Sequence, residues 1–393
     1  MKTGRLLIFD SHPVQYKAPV YREIAKHLGD DLRVIYATDC TLRGHHDAGF
    51  GCKVTWDVPL LAGYPHEILN CEKGEPLKGF FSLQSWAVFR LIREFRPTLI
   101  LLSQMTYLYD IQVLLSAWML GVPVYFRVET QDEANERTAW RSFVRGIAFR
   151  GVYAWLSGAF WIGRLNRAHL VAHGFGSKPL IWAPYCVDGE LMTLTDGEAD
   201  ARRVAMRGQL GLSPDTVCVG FFGKLIPKKD PELLLRMGAA MNAEEKRRTT
   251  FLFVGSGELE IKLCAMANAC GLKALFAGFV NQKIIPNYYL ATDIVMLPSR
   301  RMGETWGLVV NEALAAGCRV IVSDAVGCHA EFKALPTVRV IPVGSVDAAI
   351  RKFRELVVDI RATVRLRNLP PVFTKEVVSR QITSAVNRRG FII

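Results

Sequence analysis

The chain has 393 residues, half of them hydrophobic, and carries 49 Lys and Arg against 37 Asp and Glu. This length predicts two domains rather than one, and the composition excludes a disordered or low-complexity chain. The formal charge of +12 favours anionic partners. Because the basic residues are scattered and no nucleic-acid-binding motif is present, we expect no nucleic-acid partner.

Short apolar runs alternate with amphipathic segments along the whole chain, which predicts buried parallel strands separated by helices. The first series of predicted strands spans residues 5–10, 32–37, 98–103, 122–128, 159–162 and 180–183. The second series spans residues 217–222, 250–254, 274–279, 293–297, 318–322 and 337–341, with predicted helices at 231–241, 258–269 and 307–316. Two such series predict an α/β protein with two doubly wound, Rossmann-like domains that face each other across a cleft.

The segment 140–161 combines three arginines, Arg141, Arg145 and Arg150, with several aromatic and aliphatic residues. Such a mixture is typical of a helix that rests at a bilayer interface. Three glycines weaken a single long helix here. A buried helix with a basic outer face is the alternative interpretation.

The polar stretch 195–203 and the turn at 213–215 place the domain boundary near residues 188–215. We assign residues 1–190 to an N-terminal domain and 205–370 to a C-terminal domain. Residues 371–393 form a C-terminal segment in which apolar side chains recur at helical spacing. We therefore predict a terminal helix.

The first strand of the second series ends in Gly223, followed by Lys224 and Lys229 on the turn into a helix. Two ammonium groups near a helix N-terminus can bind a diphosphate, although a lysine-rich loop in solvent is the alternative. Gly255 ends the next strand, where a tight connection is the simpler role. Phe279 ends a third strand, where the backbone could face a nucleobase or the side chain could pack in the core.

The segment Glu304-Thr305-Trp306-Gly307-Leu308 connects a strand that ends at Pro298 to a helix that contains Glu312. Backbone amides at this helix start have no partner within the helix and can bind an anion. The two carboxylates could accept hydrogen bonds from two sets of hydroxyl groups, those of a sugar and those of a ribose. For an isolated pair of glutamates, the alternative is two surface carboxylates.

Taken in order, the motifs within residues 217–331 resemble the Glu-x7-Glu signature of glycosyltransferase family 4, whose members are retaining enzymes with the GT-B fold. The resemblance implies that Lys224 and Lys229 bind the diphosphate, that Glu304 contacts the donor sugar and that Glu312 contacts the ribose. It also implies contacts with the donor by a set of residues from four loops, namely Gly223, Gly255, Phe279, Thr305, Trp306, Gly307 and Leu308. Lys224 departs from the family, which usually has arginine there, and lysine offers phosphate only a point charge.

The resemblance implies transfer of a hexose-type sugar from a nucleotide diphosphate sugar to a hydroxyl of a glycan, glycolipid or polysaccharide precursor. A UDP-sugar is favoured on family frequency, with a GDP-sugar as the alternative. We expect no cofactor and no metal, because no Asp-x-Asp motif follows a strand. It also implies that the N-terminal domain is the acceptor side, that the C-terminal domain binds the nucleotide sugar and that the terminal helix packs back toward the N-terminal domain. A helix of residues 140–161 at a bilayer interface would suit a lipid-linked acceptor.

Two other functions remain open at this point. A nucleotide-sugar 2-epimerase would use the same fold, and a basic protein that binds nucleic acid or a membrane surface would account for the charge. A Rossmann dehydrogenase is excluded because no G-x-G-x-x-G motif opens the first βα unit.

In the N-terminal half, the loop that contains His12 and Gln15 resembles the His-Pro-x-Gln-Tyr loop of a subset of the family. His12 is a candidate acceptor or phosphate contact, with packing of the loop as the alternative. Arg127 and Glu129 lie where relatives place residues close to the acceptor, although an ion pair that braces the domain is an equal alternative. Asn166 is predicted to lie in the cleft wall.

Nine cysteines without a C-x-x-C pair predict a reducing compartment without disulfides. The apolar run at residues 6–9 is too short for a signal peptide, and no uncharged apolar stretch approaches the ~20 residues of a spanning helix. We therefore expect a cytoplasmic protein, either free or peripheral on the cytosolic face of a membrane.

Overall fold

The computed structural model describes residues 4–47, 49–70, 79–362, 365, 367 and 369–390. The strands are β1 (Leu6–Asp10), β2 (Leu32–Thr38), β3 (His45–Asp47), β4 (Cys52–Val54), β5 (His66–Asn70), β6 (Leu99–Leu102), β7 (Val124–Phe126), β8 (Gly158–Trp161), β9 (Leu180–Trp182), β10 (Val217–Phe222), β11 (Thr249–Val254), β12 (Lys273–Phe276), β13 (Ile294–Leu297), β14 (Arg319–Ser323) and β15 (Val338–Ile341). The α-helices are α1 (Ala18–Leu28), α2 (Ala87–Phe95), α3 (Leu108–Met119), α4 (Ala139–Ala154), α5 (Arg164–Leu170), α6 (Glu190–Thr193), α7 (Asp196–Gln209), α8 (Glu232–Ala239), α9 (Ala243–Arg248), α10 (Glu260–Ala269), α11 (Ile285–Ala291), α12 (Leu308–Ala315), α13 (His329–Phe332), α14 (Val346–Ala362) and α15 (Lys375–Gly390).

The N-terminal domain is built on a seven-stranded parallel sheet with the order β5-β2-β1-β6-β7-β8-β9. Leu6 of β1 pairs with Leu32 on one side and with Leu99 on the other. All five residues of β1 are buried, since helices cover both faces of the sheet. The strand order reverses between β1 and β6, and ligands of such sheets bind at the carboxyl ends of the strands beside this point.

The C-terminal domain contains a six-stranded parallel sheet with the order β12-β11-β10-β13-β14-β15. Its order reverses between β10 and β13, which places Gly223 and Ser299 at the corresponding crevice. Strands β10, β11, β13 and β14 are buried along their whole length. The predicted α/β fold with two Rossmann-like domains is confirmed, and each predicted strand is present.

Three further strands lie outside the predicted set. β5 forms the edge of the first sheet and carries His66, Glu67 and Asn70, so it lacks the apolar run that marks the central strands. β3 and β4 form an antiparallel hairpin apart from both large sheets. Each is only three residues long, too short for a periodic pattern to predict.

The hairpin and the residues after it contact the C-terminal domain. The Ser256 hydroxyl donates to the Phe50 carbonyl at 2.7 Å, and the Asn281 side chain donates to the Thr55 carbonyl at 2.7 Å. The Lys283 amide donates to the Asp57 carboxylate at 3.2 Å. A segment of the N-terminal domain therefore spans the cleft between the two sheets.

The last helix, α15, packs against the N-terminal domain. Its buried residues Val378, Ile382 and Val386 belong to the same apolar cluster as Leu6 and Ile8 of β1. At the start of the helix, Lys375 forms an ion pair with Asp188 at 2.7 Å. Among the described residues, no helix combines the length and the apolar character needed to cross a membrane.

Candidate functional site

A cavity of about 730 Å³ lies between the two domains, beside the strand ends where both sheets reverse their order. Both domains contribute to it. The sequence-predicted residues that line it are His12, Gln15, Glu129, Gly223, Lys224, Lys229, Gly255, Phe279, Glu304, Thr305, Trp306, Gly307, Leu308 and Glu312. Residues from distant parts of the chain are thus brought to one site.

Glu304 and Lys229 face each other in this cavity. The Lys229 ammonium lies 2.9 Å from Glu304 Oε1, and the Lys228 ammonium lies 4.0 Å from Oε2. Glu304 is buried, and its Oε2 accepts no hydrogen bond from any described residue. A buried carboxylate oxygen is costly without a donor. It can therefore accept a hydrogen bond from a ligand hydroxyl in the cavity.

Lys224 reaches across the cleft to the β3–β4 hairpin. Its ammonium lies 2.7 Å from Asp47 Oδ1 and 5.1 Å from the centre of the Phe50 ring. Burial works against ionisation of Asp47, but hydrogen bonding and charge attraction from Lys224 outweigh it and lower the pKa of Asp47. The cation that was predicted to hold a diphosphate is therefore paired with a carboxylate of the other domain.

The loop after Glu304 leads into the start of α12. Gly307 has φ of 100°, and a Cβ atom there would meet Val326 Cγ1 at 2.6 Å, so only glycine fits. No side chain of the described residues caps α12. The Trp306 ring is buried, and its indole N–H donates to Asn311 Oδ1 at 2.9 Å. This hydrogen bond ties the loop to α12. The first amides of α12 are available to an anion in the cavity.

Glu312 lies one turn into α12 and accepts a hydrogen bond of 2.6 Å from the Tyr289 hydroxyl. Burial raises the pKa of Glu312 to about 7, although the hydrogen bond from Tyr289 opposes this shift. The Tyr289 ring stacks on Phe222 at 3.8 Å. A carboxyl group held in this way can bind hydroxyl groups and changes its charge near neutral pH.

Two glycines allow the loops after β10 and β11 to approach each other. A Cβ atom on Gly255 would lie 2.0 Å from the Gly223 carbonyl oxygen, and φ of Gly255 is 138°. Phe279 lies nearby and contacts the hairpin, with its ring 5.0 Å from that of Phe50. The floor of the cavity at this end consists of backbone and aromatic rings.

On the N-terminal side, Glu129 is hydrogen bonded to the C-terminal domain. Its Oε2 accepts a hydrogen bond of 2.8 Å from the Thr305 hydroxyl, and its Oε1 accepts one from Tyr185. His12 Nδ1 is hydrogen bonded to the Ser11 hydroxyl at 2.8 Å. Gln15 Oε1 is buried without a hydrogen-bond donor among the described residues, so it too can accept from a ligand.

Arg127 and Asn166, among the described residues, are the two predicted site residues that do not line the cavity. The Arg127 guanidinium donates to the carbonyls of Ala183 and Pro184 at 3.2 and 2.9 Å. The Asn166 amide donates to the Thr130 carbonyl at 2.8 Å. Both side chains hold backbone segments that lead to the cavity.

The cavity residues that sequence reasoning missed include Asp47, Phe50 and Trp56. The glycines at 49 and 51 mark a turn beside Asp47, which could have indicated a hairpin. Nothing local indicates that this turn crosses the cleft. Its position depends on contacts with residues more than 150 positions away in the sequence, such as Lys224 and Ser256.

A second cavity of about 660 Å³ adjoins the first, and Glu129 and Thr305 line both. It extends toward α4, where Arg145 and Phe149 line it. Nearby, the described residues include a group whose potential metal-ligating atoms lie within 4.8 Å of one another, namely Asp132, His169 and His173. The Asp132 carboxylate is ion paired with Arg145 at 2.5 Å, so the Arg145 guanidinium already balances its charge.

Residues 203–368 match the family model described as Glycosyl transferases group 1. An uncharacterized glycosyltransferase of Methanocaldococcus jannaschii is 32% identical over 127 residues, which cover 32% of this chain and 32% of the relative. D-inositol 3-phosphate glycosyltransferase 2 of Catenulispora acidiphila is 35% identical over 133 residues, or 31% of each chain. The match thus spans about a third of the length of these relatives.

The fold as a whole is similar to that of Anabaena HepE, which was crystallised with UDP. The TM-score is 0.67 with 16% identity, and the superposition covers 99% of this chain and 98% of HepE. A second HepE structure contains UDP-glucose. Together with the two parallel sheets, this similarity confirms the predicted GT-B fold.

Proposed function

We propose that this protein is a glycosyltransferase that moves a sugar from a nucleotide diphosphate donor to a hydroxyl group of an acceptor, with retention at the anomeric carbon. The observation that carries the proposal is the convergence of Lys224, Lys229, Glu304 and the start of α12 on one cavity between the domains. The match of residues 203–368 to group 1 glycosyl transferases favours transfer over the epimerase alternative.

In this proposal the diphosphate binds against the two ammonium groups and the α12 amides. Negative charge grows on the diphosphate as the bond to the sugar breaks, and the lysines and amides stabilise it where it develops. No bound metal is needed for this step, because these cations supply the charge. The acceptor hydroxyl attacks from the face of the leaving group, and a phosphate oxygen takes its proton.

Glu304 positions the donor sugar, because it lines the cavity and its Oε2 has no hydrogen-bond donor among the described residues. Glu312 binds the ribose, since it lies one turn deeper in α12 beside Tyr289. A UDP-sugar is the favoured donor, in keeping with the UDP and UDP-glucose bound by the similar HepE. Closure of the two domains would exclude water and protect the donor from hydrolysis.

The acceptor is expected to enter from the N-terminal side, past His12, Gln15 and Glu129. Glu129 is well placed to couple acceptor and donor, since it binds Thr305 beside Glu304. A glycan, a glycolipid or a polysaccharide precursor would each supply the required hydroxyl group.

The proposal is tested by a thermal-shift screen with UDP, GDP, ADP and their sugars. A nucleotide at 100 times its dissociation constant stabilises the folded protein by about 2.7 kcal/mol, and we expect UDP to give the largest shift. Consumption of the sugar nucleotide that depends on an added acceptor would then distinguish transfer from epimerisation. If no nucleotide changes the unfolding temperature, the proposal fails.

A further inference from the structure

Helix α4 has an exposed apolar face, contrary to the interpretation of residues 140–161 as a buried helix with a basic outer face. Within α4 only Gly146 and Tyr153 are buried. Trp140, Phe143 and Ile147 are 71%, 58% and 54% exposed. Side chains of this size are normally removed from water, so a contiguous exposed set marks an interaction surface.

The exposed residues form a single stripe along the helix. At about 100° per residue, Trp140, Phe143, Val144 and Ile147 fall within about 100° of the helix circumference. Arg141 and Arg150 fall on opposite sides of this stripe, and α4 contains no acidic residue. An apolar stripe flanked by arginines is the pattern of a helix that lies in the plane of a bilayer surface.

The stripe continues onto α3 at its far end. Trp155, at the end of α4, packs edge-on against Trp118 of α3 at 5.6 Å, and Trp118 is 68% exposed. At the near end, Trp140 stacks on Phe143 at 5.9 Å. Tryptophan is enriched at membrane interfaces because its ring is apolar while its N–H remains in contact with water. We call the residues Trp118, Trp140, Phe143, Val144, Ile147 and Trp155 the α4 surface.

The position of the α4 surface relates it to the proposed reaction. The opposite side of α4 contributes Arg145 and Phe149 to the second cavity, and Glu129 and Thr305, which are hydrogen bonded to each other, line both cavities. The second cavity therefore lies beside both α4 and the donor cavity. An acceptor whose apolar part stayed in a bilayer could approach the cleft from this side.

We propose that the α4 surface docks on an anionic lipid bilayer, and that the acceptor is presented from that bilayer. The docking is inferred from the α4 surface alone. The presentation of an acceptor from the bilayer rests on the proposed function. The arginines beside the stripe complement anionic headgroups. Two glutamates, Glu133 and Glu136, precede the helix rather than flank the stripe. A second copy of the chain is a poorer partner for the α4 surface, because a two-fold symmetric dimer would place the arginines of both copies close together.

Co-sedimentation with vesicles of phosphatidylglycerol mixed with phosphatidylcholine tests the docking. We expect the full chain to bind these vesicles and to bind vesicles of phosphatidylcholine alone at least about tenfold more weakly. A triple variant, Trp140→Ser, Phe143→Ser and Ile147→Ser, should lose about tenfold or more in binding, because the apolar contribution is removed. A double variant, Arg141→Gln and Arg150→Gln, should lose about tenfold on the anionic vesicles, and added salt should weaken the wild type in the same way.

The matched control replaces three exposed apolar residues outside the N-terminal domain, Val204→Ser, Ile261→Ser and Val358→Ser, and should bind as the wild type does. Unchanged binding by the α4 variants, or no binding by the wild type, overturns the docking proposal. So does a loss of dimer in the α4 variants without any vesicle binding, which would show a contact between copies. The UDP thermal shift should be the same in all these variants, so a failure of the donor proposal is seen separately.

Discussion

The donor side and the acceptor side of the cleft are built in different ways. On the donor side, Gly223, Lys224, Glu304 and Gly307 all lie where a strand of one sheet turns into the next element. On the acceptor side, the cavity is also lined by residues of the β3–β4 hairpin, which belongs to neither large sheet and crosses the cleft. A site built at strand ends is local in the sequence, whereas a site built from crossing segments depends on tertiary contacts.

The largest effect is expected at Glu304, the donor-side residue with a free carboxylate oxygen. Glu304→Ala should lower turnover by about 100-fold, the cost expected when a substrate is misplaced by about 1 Å. The variant should still fold, because Glu304 contacts lysine side chains rather than the apolar core. Steady-state kinetics and thermal unfolding measure the two effects separately.

Glu244→Ala is the control for Glu304, since Glu244 is an exposed glutamate of α9 on the same domain. It should leave turnover and unfolding temperature unchanged. Near-normal transfer by a folded Glu304→Ala protein would show that the donor side is not organised around this residue. The contrast between the two sides of the cleft would then lose its best support.

The next effect concerns Lys224, which departs from the arginine that is usual in the resembled family. Lys224→Ala should weaken UDP binding by about tenfold to 100-fold, because a hydrogen bond to a charged group is worth about 1.5–3 kcal/mol. Lys224→Arg should bind UDP at least as tightly as the wild type, since a guanidinium can bind a phosphate with two hydrogen bonds. Isothermal titration with UDP measures both.

Lys262→Ala is the matched control, because Lys262 is an exposed lysine that pairs with Glu232 away from the cavity. UDP binding by this variant should equal that of the wild type. Equal affinities for Lys224→Ala and the wild type would exclude the predicted contact with the diphosphate.

The difference between the two sides of the cleft also explains which parts of the structure could be predicted from the sequence. The central strands were predictable because both faces of each sheet are covered, which leaves long apolar runs such as Val217–Phe222. The convergence of Lys224, Lys229 and Glu304 on one cavity followed from their positions at strand ends. Their roles as ligands stay predictions.

Asp47 could not be predicted in the same way. Its partner Lys224 lies 177 positions away, and the hairpin that carries it has strands of only three residues. Arg127 shows the opposite problem, since it lies at a strand end as predicted yet uses its guanidinium to hold the carbonyls of Ala183 and Pro184. Position in the fold can be predicted from a strand end, but the direction of a long side chain depends on its neighbours.

A smaller effect is expected from pH, through Glu312. Its pKa of about 7 in the folded protein exceeds the usual 4.5, so the protonated form favours the fold. That contribution, at most about 3 kcal/mol, is present below about pH 4.5 and is lost as the pH rises through about 7. Glu312→Gln should therefore unfold at a higher temperature than the wild type above about pH 7, which calorimetry can measure.

UDP binding should change in the opposite direction with pH. Ribose hydroxyls donate best to an ionised Glu312, so UDP affinity should rise by up to about tenfold as the pH increases from about 6 to about 8. Glu312→Gln should lack this change, which separates it from titration of the nucleotide itself. The same pH dependence in both proteins would show that Glu312 does not contact the ribose.

The smallest effect is expected at the contact that joins the two sides of the cleft. Asp47→Asn removes the carboxylate that pairs with Lys224 and would otherwise repel a diphosphate at the same place. UDP binding should become tighter by about threefold to tenfold, as measured by titration.

Asp57→Asn is the control, because Asp57 also bridges the domains but bonds the Lys283 amide instead of Lys224. Weaker UDP binding by Asp47→Asn than by Asp57→Asn would mean that the hairpin holds Lys224 in place for the donor rather than competing with it. The acceptor-side hairpin would then belong to the donor site.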